Sequence, residues 1–158
     1  MFGQIDRPLQ IRVFNHYYLS LSSIFSIVKT AEIIDLLTTA TTDLLWSSES
    51  DYPFEIVTWP PGNALTPMAL FKDLPDSNLP IETMSVTELF EPVLTIEDWY
   101  EDAELAQVNR YTDLLHAIES NLVDPQVFRV GEVEIAIYIV GKTPDGDVVG
   151  LKTYVVET

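Results

Sequence analysis

The sequence predicts an α+β fold in which helices cover a mainly antiparallel sheet. Two observations carry that prediction. Apolar residues recur at helical spacing in two separate stretches, with shorter strand-like stretches between them. The chain then ends in two β-branched, aromatic-rich runs, Val133–Val140 and Val148–Val156, joined by Gly141-Lys142-Thr143-Pro144-Asp145-Gly146-Asp147. Pro144 presets φ for a turn and Gly146 takes the positive φ that closes it, so the two runs pair as a hairpin. A length of 158 residues suits one domain with a proper core.

The first helix starts with Thr30 as N-cap and Glu32 in the first turn, where the helix dipole favours an acid. Its apolar stripe is Ile33, Leu37, Ala40 and Leu44, joined by Ile34 and Leu45. A polar loop, Trp46 to Pro53, follows. Phe54–Trp59 alternates as a strand and is ended by Pro60-Pro61-Gly62-Asn63. Beyond it the pattern weakens: a short strand or helix near Met68–Phe71, a strand at Ile81–Val86, and a short helix from Ser85 or Thr87 through Phe90. Thr95-Ile96-Glu97-Asp98 resembles a capping box that opens the longest helix. That helix carries Val108, Tyr111, Leu115, Ile118 and Leu122 on one stripe and stops at Asp124-Pro125. Val127–Val130 is a strand, Gly131 a bend, and the terminal hairpin completes the sheet with Leu151, Thr153 and Val155 on one face.

Residues 1–29 differ from the rest and read as an N-terminal extension to a domain over 30–158. Tyr17 to Val28 is apolar after two arginines, but it is too short to span a bilayer and is diluted by serines. It makes a poor signal peptide, lacking a small-x-small cleavage site. Two alternatives stay open: a disordered extension, or translation that starts at Val28 and omits it.

The net charge is −17, with 47% hydrophobic and 21% charged residues. Residues 1–30 carry Arg7, Arg12 and Lys29 against Asp6, a net of +2, so the remaining residues carry a net −19. Such a field repels nucleic acid and anionic membranes and attracts basic proteins. With no cysteine there is no disulfide or thiolate chemistry, which fits a cytoplasmic location.

Catalytic motifs fail in turn. Gly141-Lys142-Thr143 looks like the end of a phosphate loop, but Ala136 stands where the motif needs its first Gly. Asp145-Gly146-Asp147 lacks the spaced ligands and late Glu of a calcium loop. Of two histidines, His16 lies in the extension and His116 sits beside the stripe of the long helix. No metal site, cofactor or enzymatic activity is expected. Three features remain: Glu49 in its Ser/Asp-rich loop, Trp99 flanked by acids at the start of the long helix, and Thr158 at the end of the hairpin. An exposed Trp ringed by charge has the composition of a binding hot spot, whereas a core Trp would be silent.

Leu44-Leu45-Trp46-Ser47-Ser48-Glu49-Ser50-Asp51-Tyr52-Pro53-Phe54-Glu55 closely resembles the recognition loop of the nuclease A inhibitor family. Asp98-Trp99-Tyr100-Glu101-Asp102, Asn121-Leu122, Asp124-Pro125-Gln126-Val127 and the ending Val155-Val156-Glu157-Thr158 are similar to that family too. The likeness is strong over residues 43–59 and 95–158, weaker back to about Thr30, and poor over Pro60–Leu94. It implies an α-β-α sandwich and a monomer that plugs the active site of a basic, magnesium-dependent, sugar-non-specific nuclease in a 1:1 complex. It also implies that Glu49, Trp99 and Thr158 carry recognition, that Asp98 holds a further acidic contact, and that Thr158 reaches the partner's magnesium. The alternative is an acidic DNA mimic that binds another basic nucleic-acid-binding protein without metal contact.

Overall fold

A computed structural model describes residues 29–76 and 78–158. Helix α1 runs over residues 29–41 of the described chain. It is followed by β1 (Leu45–Ser47), β2 (Asp51–Pro53), β3 (Glu55–Trp59), α2 (Pro67–Leu70) and β4 (Ile81–Met84). Then come α3 (Val86–Leu94), α4 (Asp102–Asn121), β5 (Val123–Val130), β6 (Glu134–Lys142) and β7 (Val148–Val156). Strands β1 and β2 form a small sheet of their own, and the main sheet has the order β3-β7-β6-β5-β4. Every neighbouring pair is antiparallel. The expected α+β class is therefore the observed one, and the C-terminal strands pair as a hairpin in the register Glu134↔Val156 to Lys142↔Val148.

Strand β6 reads Glu-Ile-Ala-Ile-Tyr-Ile-Val-Gly-Lys and is buried nearly throughout. A near-continuous apolar run of this kind belongs in the middle of a sheet covered on both faces. One face carries Ile135, Ile137 and Ile139 of β6 and Val149 and Leu151 of β7, packed under α1, α3 and α4. The other carries Phe128, Tyr138, Val140 and Val148 under Leu70 of α2 and Phe71, the residue that caps it. The sandwich is lopsided: three helices on one side, and one four-residue helix on the other. Phe71 supplies much of the thin layer, its ring 5.6 Å from Phe128 and 4.7 Å from Tyr138. On the same face Lys152 lies over the rings of Tyr138 and Tyr154, and hydrogen bonding to Tyr154 raises its pKa.

Several expected boundaries move. Thr30 is not the N-cap, because Lys29 before it is already helical. Its hydroxyl instead donates to Asp147 Oδ2 at 2.7 Å. Leu44 and Leu45 do not belong to α1: the helix stops at residue 41, and Asp43 takes φ +57°. The hydroxyls of Thr38, Thr41 and Thr42 bond back to carbonyls four residues earlier, a habit that weakens helices. The capping box lies at Glu101 and Glu104, not at Thr95 to Asp98. Thr95 caps the end of α3, and its hydroxyl donates to the Glu91 carbonyl at 2.9 Å. Strand β5 starts at Val123, ahead of the expected Val127, because Asp124 (φ +50°) and Pro125 fit a register shift in the β5–β6 ladder. The extension before Lys29, with His16 and the alternative start at Val28, lies outside the described residues.

Candidate functional site

The expected polar loop from Trp46 to Pro53 is in fact the β1–β2 hairpin, paired Leu45↔Pro53 to Ser47↔Asp51 with Ser48-Glu49-Ser50 at its tip. Trp46 seats it. Its side chain is 5% exposed and meets Phe54, Phe90 and Tyr111 edge-on, with centroids 6.1, 5.4 and 5.6 Å away. The Tyr111 hydroxyl donates to the Leu45 carbonyl at 2.5 Å, tying the hairpin to α4. The Thr153 hydroxyl donates to the Pro53 carbonyl at 3.0 Å, tying it to β7. The Ser48 hydroxyl donates to the Ser50 carbonyl at 3.0 Å and so tightens the tip. A three-residue tip fixed from three directions holds Glu49 in the open without leaving it loose.

The end of β7 runs onto that tip. The Val156 N–H donates to Ser48 Oγ at 3.3 Å. The Thr158 hydroxyl donates to Glu49 Oε1 at 2.8 Å and lies 3.1 Å from Oε2, and the Thr158 N–H reaches Oε1 at 3.4 Å. Both residues are exposed. A hydroxyl that gives its proton to a carboxylate keeps its own lone pairs free, so Thr158 Oγ1 remains an acceptor toward anything approaching from solvent.

Trp99 does not stand in the first helical turn of α4. It occupies a turn ahead of that helix, closed by the Tyr100 N–H to the Glu97 carbonyl at 3.1 Å. The ring is 68% exposed and stands edge-on to Tyr100 with centroids 4.6 Å apart, so the core alternative is ruled out. Trp99 and Tyr100 line a cleft of about 230 Å³ whose other walls include Ser47 of β1 and Tyr111 of α4. The cleft therefore connects the tryptophan to Ser47, the last paired residue of β1 before the tip that carries Glu49. Asp98 is exposed on the same turn. Glu49 and Thr158 are thus in direct contact, Trp99 faces the hairpin across the cleft, and Asp98 precedes Trp99 in the turn without lining the cleft.

Ser48 is the residue that sequence reasoning overlooked, since nothing in a serine-rich loop marks one hydroxyl as the partner of a strand end. His116 is exposed, as its place beside the helical stripe predicts. Among the described residues no group of three His, Cys, Asp or Glu side chains could hold a metal, and no helix is long and apolar enough to cross a membrane.

Fold and site together define an acidic α+β domain that offers other molecules an exposed edge built from a hairpin tip, a strand end and a tryptophan turn. The sequence matches the family described as Nuclease A inhibitor-like protein over residues 31–158, and the chain belongs to that family. The match spans Pro60–Leu94 as well, the stretch whose residues resemble the family least. No curated protein matches the chain. Membership suggests a nuclease inhibitor that acts through protein–protein contact, not an enzyme.

Proposed function

We propose that this protein blocks a magnesium-dependent, sugar-non-specific nuclease in a 1:1 complex, as a monomer with no cofactor of its own. The contact between Thr158 and Glu49 carries the proposal. Glu49 meets arginine or lysine side chains of the nuclease in place of a substrate phosphate, through charge-assisted hydrogen bonds. Thr158, its hydroxyl proton committed to Glu49, offers the oxygen and the terminal carboxylate to the partner's magnesium. Both are hard ligands of the kind that ion accepts. Trp99 supplies the apolar anchor and Asp98 a second negative contact beside it. The net charge of −17 speeds encounter with a basic enzyme because it copies the sign of the nucleic acid. Inhibition is occupancy: inhibitor and nucleic acid compete for one groove. The lack of cysteine fits a cytoplasmic site of action.

The test is a DNA-cleavage assay with a nuclease of this class and increasing inhibitor, using the wild-type chain and one extended by a few residues beyond Thr158. The extension is expected to weaken inhibition at least tenfold, about 1.4 kcal/mol. Undiminished inhibition by the extended chain would rule out the metal contact and favour an acidic mimic working through its charged face alone.

A further inference from the structure

The two residues that follow β7 are held by more than the hairpin tip. The Glu157 N–H donates to the Val133 carbonyl at 2.9 Å, which extends the β6–β7 pairing one step past the strand. The Glu157 carboxylate accepts from Arg129 Nη2 at 2.6 Å, across 28 residues of sequence. Arg129 sits in β5, one strand beyond β6, two residues from Val127 and so on the same helix-facing side of the sheet. Its side chain is 19% exposed. A second acid, Glu82 of the neighbouring β4, lies 3.7 Å from Arg129 Nε. Among the described residues both ion pairs belong to Arg129.

We propose that Arg129 is the positioning residue of the C-terminal segment: by gripping Glu157 it fixes the direction in which the chain leaves β7 and so sets where Thr158 stands relative to Glu49. The proposal deepens the function proposed above and rests on it for the inhibition measurements alone. Consecutive Cα atoms are about 3.8 Å apart, so once Glu157 is fixed by backbone and side chain, Thr158 is confined to a small arc. Without the guanidinium, the carboxylates of Glu157, Glu49 and the chain end would share one corner of the molecule with no cation among them, and repulsion would swing the end outward. The Arg129–Glu157 bond at 2.6 Å is short and charge-assisted, and the guanidinium is mostly buried although the Glu157 carboxylate is 55% exposed, so salt screens the pair in part.

The experiment uses the whole chain as wild type, Arg129→Gln, Arg129→Lys, Glu157→Gln, and each with Thr158 deleted where inhibition is measured. In the free protein, 15N relaxation is expected to give the Thr158 amide an order parameter of about 0.85, falling below about 0.6 in Arg129→Gln and Glu157→Gln and partly restored in Arg129→Lys. An amide equally rigid in both neutral variants would overturn the proposal. Should Arg129→Gln lose its fold by circular dichroism, Glu157→Gln, altered at a side chain 55% exposed, carries the same test. Against a nuclease, Arg129→Gln should weaken inhibition about tenfold when Thr158 is present and not at all when it is absent. Equal weakening in both backgrounds would mark a merely structural role and overturn the proposal. If the relaxation changes as expected while the wild-type chain inhibits no nuclease, the proposed function falls and the positioning role of Arg129 stands.

Discussion

The terminal hairpin makes the same bond at both of its ends, with opposite consequences. At the turn between β6 and β7, the Thr30 hydroxyl donates to Asp147 at 2.7 Å. At the open end, the Thr158 hydroxyl donates to Glu49 at 2.8 Å. Chemistry and length are alike; the surroundings are not. Around the turn the circuit is closed: Thr143, 2% exposed, accepts from the Asp147 N–H at 3.1 Å, and its own N–H reaches the Asp147 carbonyl at 2.8 Å. At the open end both partners face solvent, and the Glu49 carboxylate keeps acceptor capacity to spare. Burial turns one threonine–carboxylate bond into a staple between helix and turn, and exposure leaves the other available to a partner.

A pair of tryptophans sharpens the contrast and carries the largest expected effect. Trp46 is buried under the hairpin, and Trp46→Ala should cost about 3–5 kcal/mol of stability in urea unfolding, loosening the tip so that inhibition weakens as well. Trp99→Ala should leave stability within about 0.5 kcal/mol, since an exposed ring removes little from water by folding. Its effect belongs to binding, where Trp99→Ala and Glu49→Ala are each expected to cost more than about 1 kcal/mol in a titration against the nuclease. Near-wild-type binding by both variants would dissolve the distinction. The smallest effect tests the staple: Thr30→Val should lower stability by about 1 kcal/mol, read by thermal unfolding, and leave inhibition unchanged. A loss of inhibition in that variant would mean that the two ends of the hairpin are coupled.

The legible parts of the sequence were those with long, regular periods. Val148–Val156 matches β7 residue for residue, because β-branched alternation bounded by a Pro/Gly turn leaves no competing structure. The β1–β2 hairpin was hidden: three-residue strands carry no period, and Ser48-Glu49-Ser50 has the composition of a plain loop. What makes it a hairpin is Trp46, whose burial against α3 and α4 depends on contacts more than forty residues away. The extra leucines after α1 misled for a related reason. Leu44 is 1% exposed and belongs to the core, but it arrives there from beyond the helix, after the chain turns at Asp43. Of the site, residue types and the resemblance pointed to Glu49, Asp98, Trp99 and Thr158. The meeting of Glu49 and Thr158 could not be read from a sequence in which they stand 109 positions apart.

Strand β7 is the last element of this sequence and yet lies inside the sheet, between β3 and β6. A fragment ending before Val148 would leave β3 with no neighbour and the inner flank of β6 bare, two open edges of the sort that invite aggregation. The nine residues of β7 therefore complete the core, and the segment that meets the hairpin tip follows them directly, so the sheet has to close before Thr158 can stand beside Glu49. The β3–β7 pairing joins residues as far apart as Glu55 and Lys152, and contacts of that separation favour slow folding, so refolding from urea should be slower than that of a helical domain of this size.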